Sequence, residues 1–339
     1  MAEKSLVLVT GAAGYVGSHV VNKLLRDNYR VRAAVRSEAR ADEVRHNVDS
    51  QGLDPSTVEF AFTDLGVDDG WVDAVSGARY VLHIASPFPA QNPLNDDEII
   101  TPAREGTLRV LRAARDAECA RVVLTSSFAA VGYSPKGTDD WTEDDWTDPA
   151  DDNIAYIRSK AIAERAAWDF IADQRANLEL TAVIPVGIFG PTIGTHLSTS
   201  VQFVQAMLTG QLERVVPQYF GVVDVRDVAD AHIRAMTAEN VAGERILLVA
   251  DGPPQSFLSL ATILRTGLGD AASKVPVSEY SEDEVRQLAR TEPSFRESLT
   301  QLGKRPRISN AKAKALLGWS PRPVEDTILD TARSLLDRR

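Results

Sequence analysis

Residues 5–17 read SLVLVTGAAGYVG, and the fold follows from how that stretch divides. SLVLVT (5–10) is a continuous aliphatic and β-branched run, as suits a strand covered on both faces. Behind it Thr10, Gly11, Gly14 and Gly17 take a TGxxGxxG spacing, and helical periodicity follows over 16–26. A tight turn, a backbone lying close to a pyrophosphate, and a close helix–strand contact each exclude a side chain. The helix start offers free N–H groups and the positive end of its dipole to phosphate oxygens. A glycine trio alone says little. Placed between the first strand and the first helix, it predicts a dinucleotide site.

Outward from this turn the chain keeps alternating. Strand patterns fall at 30–35 (RVRAAV), 58–62, 80–85 (YVLHIA) and 121–126 (RVVLTS), with helical spacing between them, as over 106–116. A second long helix is expected over 154–173, and strands recur at 180–184 and 245–249. Such alternation predicts an α/β fold, a Rossmann-type doubly wound parallel sheet with a smaller C-terminal substrate-binding lobe. The nucleotide-binding domain is expected over 1–184, completed by 218–250. Residues 185–217 and 251–339 form the smaller lobe, where the pattern turns helical, polar and punctuated by proline.

Composition removes several other classes. With 339 residues, 25% charged and 44% hydrophobic, the chain can bury a core without a disulfide or metal staple. Its one cysteine, Cys119, has no internal partner, which favours a reducing compartment. No CxxC or HExxH occurs, so no metal is expected. The apolar runs fall well short of the roughly 18 residues a membrane span requires, and no signal-peptide pattern opens the sequence; a cytoplasmic location is expected. Lys and Arg number 37 against 48 Asp and Glu, a net charge of −11. That balance lacks the basic footprint of a nucleic-acid or anionic-membrane binder. The acid concentrates between Asp139 and Asp152, a run that reads as a solvated loop.

Two further signals carry chemistry. At the end of the second strand, where an NAD site places an acid for the ribose 2′-hydroxyl, stand Val35 and Arg36, with Arg40 nearby. A guanidinium pairs with a 2′-phosphate that a carboxylate would repel, so NADP(H) is the expected cofactor. YIRSK (156–160) puts Tyr156 and Lys160 at i and i+4, one face of a helix. A neighbouring ammonium and an oxidised nicotinamide both favour phenolate, so the tyrosine pKa is expected to fall. The Thr125-Ser126-Ser127 run stands at the end of the fifth strand, where ligands sit in such sheets.

Together these residues resemble the extended short-chain dehydrogenase/reductases, and within them the dihydroflavonol reductase, cinnamoyl-CoA reductase and yeast-type aldehyde/ketone reductase branch. The likeness runs from Val7 to about Leu317 and is carried by LVTGAAGYVGSHV, VLHIASPF (81–88), RVVLTSSFAAV (121–131), YIRSKAIAERAAW (156–168), IPVGIFGP (184–191) and VDVRDVADAHI (223–233). The resemblance implies a Ser127/Tyr156/Lys160 triad. Tyr156 protonates the carbonyl oxygen, Ser127 donates to it, and Lys160 holds the nicotinamide ribose. It further implies that Gly11, Gly14, Tyr15, Val16 and Gly17 line the pyrophosphate and Arg36 the 2′-phosphate. Asp64 and Leu65 border adenine; Ala85, Ser86 and Pro87 border the ribose–pyrophosphate stretch. Pro185, Gly187 and Ile188 flank nicotinamide, and Ser200 adds a phosphate contact. Phe88, Phe128, Tyr133 and Tyr219 fall where substrate is held, though each aromatic ring serves equally well as core. His83 and His232 read as hydrogen-bonded core histidines, and Trp141 and Trp146 as anchors of the acidic run.

The expected activity is NADPH-dependent reduction of an aldehyde or ketone to an alcohol by a monomer or homodimer. Gly132 stands where plant dihydroflavonol reductases carry asparagine, and the NWYCY-like segment of cinnamoyl-CoA reductases is absent, which points away from flavonoid and CoA-thioester substrates. Two alternatives share the fold: a nucleotide-sugar epimerase or dehydratase, and a non-enzymatic NADP(H)-binding regulator.

Overall fold

In the computed structural model, which describes residues 4–87, 95–173 and 177–338, the first unit is β1 (Leu6–Thr10), α1 (Tyr15–Arg26), β2 (Arg30–Val35) and α2 (Glu38–Asp49). Next come β3 (Val58–Phe62), α3 (Trp71–Val75), β4 (Tyr80–His83), α4 (Asp97–Asp116) and β5 (Arg121–Thr125). The middle of the chain supplies β6 (Asp140–Trp141), α5 (Ala155–Asp173), β7 (Glu179–Pro185), β8 (Gly187–Phe189) and α6 (Thr199–Thr209). Then follow β9 (Tyr219–Phe220), β10 (Val222–Asp224), α7 (Val225–Thr237) and β11 (Arg245–Leu248). The last part holds β12 (Gln255–Ser256), α8 (Phe257–Leu268), α9 (Glu282–Leu288), α10 (Pro293–Leu299), β13 (Arg307–Ile308), α11 (Ala311–Leu317) and α12 (Val324–Leu336).

Seven strands form one sheet in the order β3-β2-β1-β4-β5-β7-β11, with every pairing parallel. The order reverses between β1 and β4, which opens a crevice at their carboxyl ends. β1 is buried along its whole length, because helices cover both faces. Val7, Val9, Val20, Leu24, Val44, Val228 and Ile246 form one core between the sheet and α1, α2 and α7. Leu8, Trp71, Val110, Leu111, Val122 and Ala167 form the other, under α3, α4 and α5. A third core gathers α6, α8 and α12 around β8 and β10, with Val204, Met207, Leu260, Leu264 and Ile328 at its centre.

Three small pairings complete the frame: β8 with β10, β9 with β12, and β6 with β13. The expected strands appear with ends shifted by a residue or two. α4 differs more, starting at Asp97 rather than near 106. Pro102 lies inside it, and proline ordinarily marks a helix boundary. Among the described residues no helix is long and apolar enough to cross a membrane.

Candidate active site

The glycine turn is shaped by what a side chain would strike. Gly11 takes φ +68°, and a Cβ there would lie 2.9 Å from the Ala85 nitrogen. A Cβ on Gly17 would lie 2.0 Å from the Gly11 carbonyl oxygen, so α1 packs directly on the turn. Thr10 stitches β1 to β4: its Oγ1 accepts the backbone N–H groups of Ile84 and Ala85, each at 3.0 Å. Its own proton then goes to His83 Nδ1, 2.8 Å away. At the start of α1, Gly14 offers no side-chain cap and the first turn holds no acid, which leaves a positive helix end over the crevice. Only the backbone of Tyr15 is available there. Its side chain is buried in the third core, and its hydroxyl donates to the Gly190 carbonyl at 2.7 Å.

Arg36, just past β2, is exposed, and among the described residues no hydrogen bond or ion pair engages its guanidinium. Arg40, in the first turn of α2, is committed to Glu43. A cavity of about 220 Å³ runs from Ala13 and Gly14 along Asp42, Glu43, His46 and Asn47 of α2 to the 193–196 segment. Asp64 accepts the Gly66 N–H at 2.7 Å, and Leu65 packs against Gly106 of α4. Ala85, Ser86 and Pro87 leave the sheet beside the turn. Phe88 lies outside the described residues.

The serine, tyrosine and lysine come together across β5 and α5. Ser127 is extended (φ −157°, ψ 150°) and caps a short 3₁₀ turn, its Oγ accepting the Ala129 N–H at 3.1 Å. That leaves its proton to give, and it hydrogen-bonds Tyr156. Lys160 Nζ lies 5.6 Å from the centre of the Tyr156 ring. Ser126 is tied elsewhere, donating to the buried Glu164 carboxylate. The electrostatics correct one expectation. Burial raises the Tyr156 pKa, and the Ser127 hydrogen bond only pulls it partway back. Lys160 is itself pushed down to about 8 by burial, opposed by Glu164. Desolvation of both groups thus outweighs what a nearby ammonium does for phenolate. Tyr133 is pushed up to about 12 by burial and by Tyr156.

His83 and His232 are both buried and hydrogen-bonded, as expected. His83 is held near 3 by burial and by the Lys160 charge, and its Nδ1 is bonded to Thr10. His232 is held near 4, its Nδ1 2.7 Å from the Val228 carbonyl and its Nε2 2.7 Å from Thr125 Oγ1.

The acidic run is strapped to the sheet. Trp141 is buried with Val131, Ile184 and Leu247, its ring edge-on to Phe128 at 6.1 Å. Trp146 lies 3.6 Å under the guanidinium of Arg245 and 4.6 Å from that of Arg165. β13 clamps the other side, with Arg307 bidentate on Asp140 at 2.7 and 2.8 Å.

Of the remaining residues, Ile188 packs on the third core, while Phe128 packs with Trp141. Pro185 ends β7. Gly187 sits so close to Gly221 that a Cβ would lie 3.1 Å from its carbonyl. Ser200 donates to the Ile188 carbonyl and pairs with the α6 cap Ser198. Phe128 and Tyr133 are 6.1 Å apart, while Tyr219 carries Arg305 over its ring at 4.5 Å. Glu164 and Arg245 are the notable residues that sequence reading passed over. The one available signal was an acid four places after Lys160 on the same helical face.

The pattern of the NAD dependent epimerase/dehydratase family matches residues 7–250. The chain belongs to that family. NADPH-dependent methylglyoxal reductase GRE2 of Saccharomyces cerevisiae is 31% identical over 356 residues, covering 97% of this chain and 98% of that protein. Cinnamoyl-CoA reductase CAD2 of Medicago truncatula is 32% identical over 347 residues, covering 99% and 97%. The crystal structure of yeast methylglyoxal/isovaleraldehyde reductase Gre2 complexed with NADPH matches with a TM-score of 0.81 at 28% identity, covering 98% of each chain. These relatives place the chain in the extended short-chain dehydrogenase/reductase group, on the branch that also holds dihydroflavonol 4-reductase of Zea mays.

Proposed function

We propose that this protein is an NADPH-dependent carbonyl reductase that converts an aldehyde or ketone to an alcohol. The observation that carries the reading is the Ser127 hydroxyl on Tyr156 with Lys160 beside the same ring. A proton donor whose pKa is raised stays protonated at neutral pH, as an acid for carbonyl reduction must be. Tyr156 gives its proton to the carbonyl oxygen. Ser127 donates to the same oxygen as charge develops on it. Lys160, still largely ammonium near neutrality, holds the ribose hydroxyls and faces the tyrosine.

The residues present fit the nicotinamide cofactor. The turn has no room for side chains at Gly11 and Gly17, α1 opens uncapped above it, and among the described residues Arg36 has no partner, which leaves it for a 2′-phosphate to meet. NADPH, when bound, supplies the hydride. We assign the backbone of Gly11, Gly14, Tyr15, Val16 and Gly17 to the pyrophosphate, and Asp64 and Leu65 to adenine. Ala85, Ser86 and Pro87 go to the ribose–pyrophosphate stretch, and Pro185, Gly187 and Ile188 to nicotinamide. Ser200, whose hydroxyl donates to the Ile188 carbonyl, is assigned to a further phosphate contact. Phe128, Tyr133 and Tyr219 give the substrate site apolar walls with hydroxyl anchors. We assign residues 1–184 with 218–250 to the cofactor unit and 185–217 with 251–339 to the substrate lobe, whose helices α6, α8 and α12 pack together in the third core. The buried free thiol of Cys119 suits a cytoplasmic enzyme, acting as a monomer or as a dimer through α4 and α5.

The test is loss of NADPH absorbance with methylglyoxal, isovaleraldehyde, aromatic aldehydes and β-keto esters, repeated with NADH. Carbonyl-dependent oxidation of NADPH, with NADH poorer, is the expected outcome. Binding of NADPH without oxidation by any carbonyl would sink the reading and favour an epimerase or a regulator.

A further inference from the structure

Glu164 lies one turn beyond Lys160 on the same face of α5, and its side chain is 1% exposed. A carboxylate taken out of water is costly unless its lone pairs are met. Here they are met from four donors. Oε1 accepts from Arg245 Nε at 2.6 Å and Trp168 Nε1 at 3.1 Å. Oε2 accepts from the Ser126 hydroxyl and from Arg245 Nη2 at 3.3 Å. Arg245, the first residue of β11, is buried in turn. Its Nη1 donates to the carbonyls of Glu143 and Asp145, and its guanidinium covers Trp146.

One ion pair therefore joins α5, the end of β5, the edge strand β11 and the acidic run. A buried pair of this kind adds little stability over apolar residues of the same size, so its usefulness lies in what it orients. Ser126 immediately precedes Ser127, and both hydroxyls reach the same helix: Ser126 to Glu164 and Ser127 to Tyr156 two turns earlier. Anchoring Ser126 on Glu164 therefore fixes the turn from which Ser127 meets the tyrosine.

We propose that the Glu164–Arg245 pair is the positioning element of the site, anchoring the Ser126–Ser127 turn and standing one helical turn behind Lys160. Its kinetic consequence rests on the carbonyl reductase reading; its effect on Lys160 does not. Among the described residues the titratable groups around Lys160 are few. Tyr156 and Glu164 share its helix, His83 faces it from β4, Arg245 stands behind Glu164 on β11, and Tyr133 lies beyond Tyr156. α4 meets the helix through the ion pair of its cap residue Asp96 with Arg158. Of these, Glu164 is the group that supports the ammonium against burial.

The test replaces both charges at once, Glu164→Met with Arg245→Met, so that neither is left buried alone. Thermal unfolding reports the fold. NMR titration of ε-carbon-labelled lysine, with Lys160 assigned by Lys160→Arg, reports the amine in protein free of cofactor. The expected result is a folded variant whose Lys160 titrates at lower pH than in the natural chain, with kcat reduced on the order of tenfold to a hundredfold. Ser126→Ala, which keeps both charges, should lower kcat while leaving the Lys160 titration in place. A folded double variant with an unmoved Lys160 titration overturns the proposal. If the double variant does not fold, unchanged kcat in Ser126→Ala overturns it. An inactive natural chain with a shifted Lys160 in the double variant would instead fault the reductase reading and leave the positioning role supported.

Discussion

Around β1 and α1 the binding surface is backbone: Gly11 at φ +68°, a Gly17 with no room for a Cβ, and helix N–H groups above them. Around β5 and α5 it is side chain: Ser127 on Tyr156, Lys160 beside the ring, and Glu164 and Arg245 buried behind. The two halves meet at His83, bonded to Thr10 on one side and facing Lys160 on the other. The first half is damaged by adding atoms. The second is damaged by removing a particular polar atom while the shape stays intact.

The contrast can be broken most severely at Gly17. Gly17→Ala puts a methyl 2.0 Å from a backbone oxygen, which cannot move aside as a flexible side chain could. Loss of measurable NADPH binding is expected, by isothermal titration; wild-type affinity would remove the steric argument. The catalytic half should behave in the opposite way. Tyr156→Phe keeps the ring and is expected to bind NADPH normally while losing about 10²–10⁴-fold in kcat. Normal turnover there would exclude Tyr156 as the acid.

Arg36→Ala sharpens the difference on the nucleotide side. Losing a charge-assisted contact to a 2′-phosphate should cost about 10–100-fold in kcat/KM for NADPH and little for NADH. Equal losses with both cofactors would place Arg36 elsewhere. The smallest effect falls on both halves. His19, His83 and His232 are buried and neutral, with pKa values pushed from 6.5 to about 4, about 3 and about 4. Unfolding lets them take up protons, so their contribution to stability is complete above 6.5 and is lost as pH falls toward the folded values. Tm should decline already between about pH 6.5 and 5, before most carboxylates titrate; a flat Tm over that window would contradict the buried neutral histidines.

The same contrast explains what the sequence could reveal. Missing side chains leave a spaced mark, and the turn, β2 and β3 can be read from a few neighbouring residues. Tyr156 and Lys160 are legible because one helical turn joins them. Arg245 is not: it stands 81 residues from Glu164, and no local pattern ties a strand's first arginine to a helix carboxylate. The strands of two or three residues at β6, β8–β10, β12 and β13 are too short to show a period. The early start of α4 is hidden by Pro102. The raised Tyr156 pKa was hidden for another reason, since spacing reports a neighbouring charge but not how much water the fold removes.

The pairing of β6 with β13 also bears on the order in which the chain is made. All seven strands of the large sheet have been synthesised once β11 ends at Leu248, but Arg307 and Ile308, which hold Asp140 and Trp141, come later. A growing chain thus passes through a stage in which all seven strands are present and one edge of the acidic run has no partner to clamp it. Contacts this distant in sequence form late and slowly. A chain ending at residue 250 lacks that clamp and the α8 and α12 side of the third core, and it should expose tryptophan to quenchers that cannot reach it in the full protein.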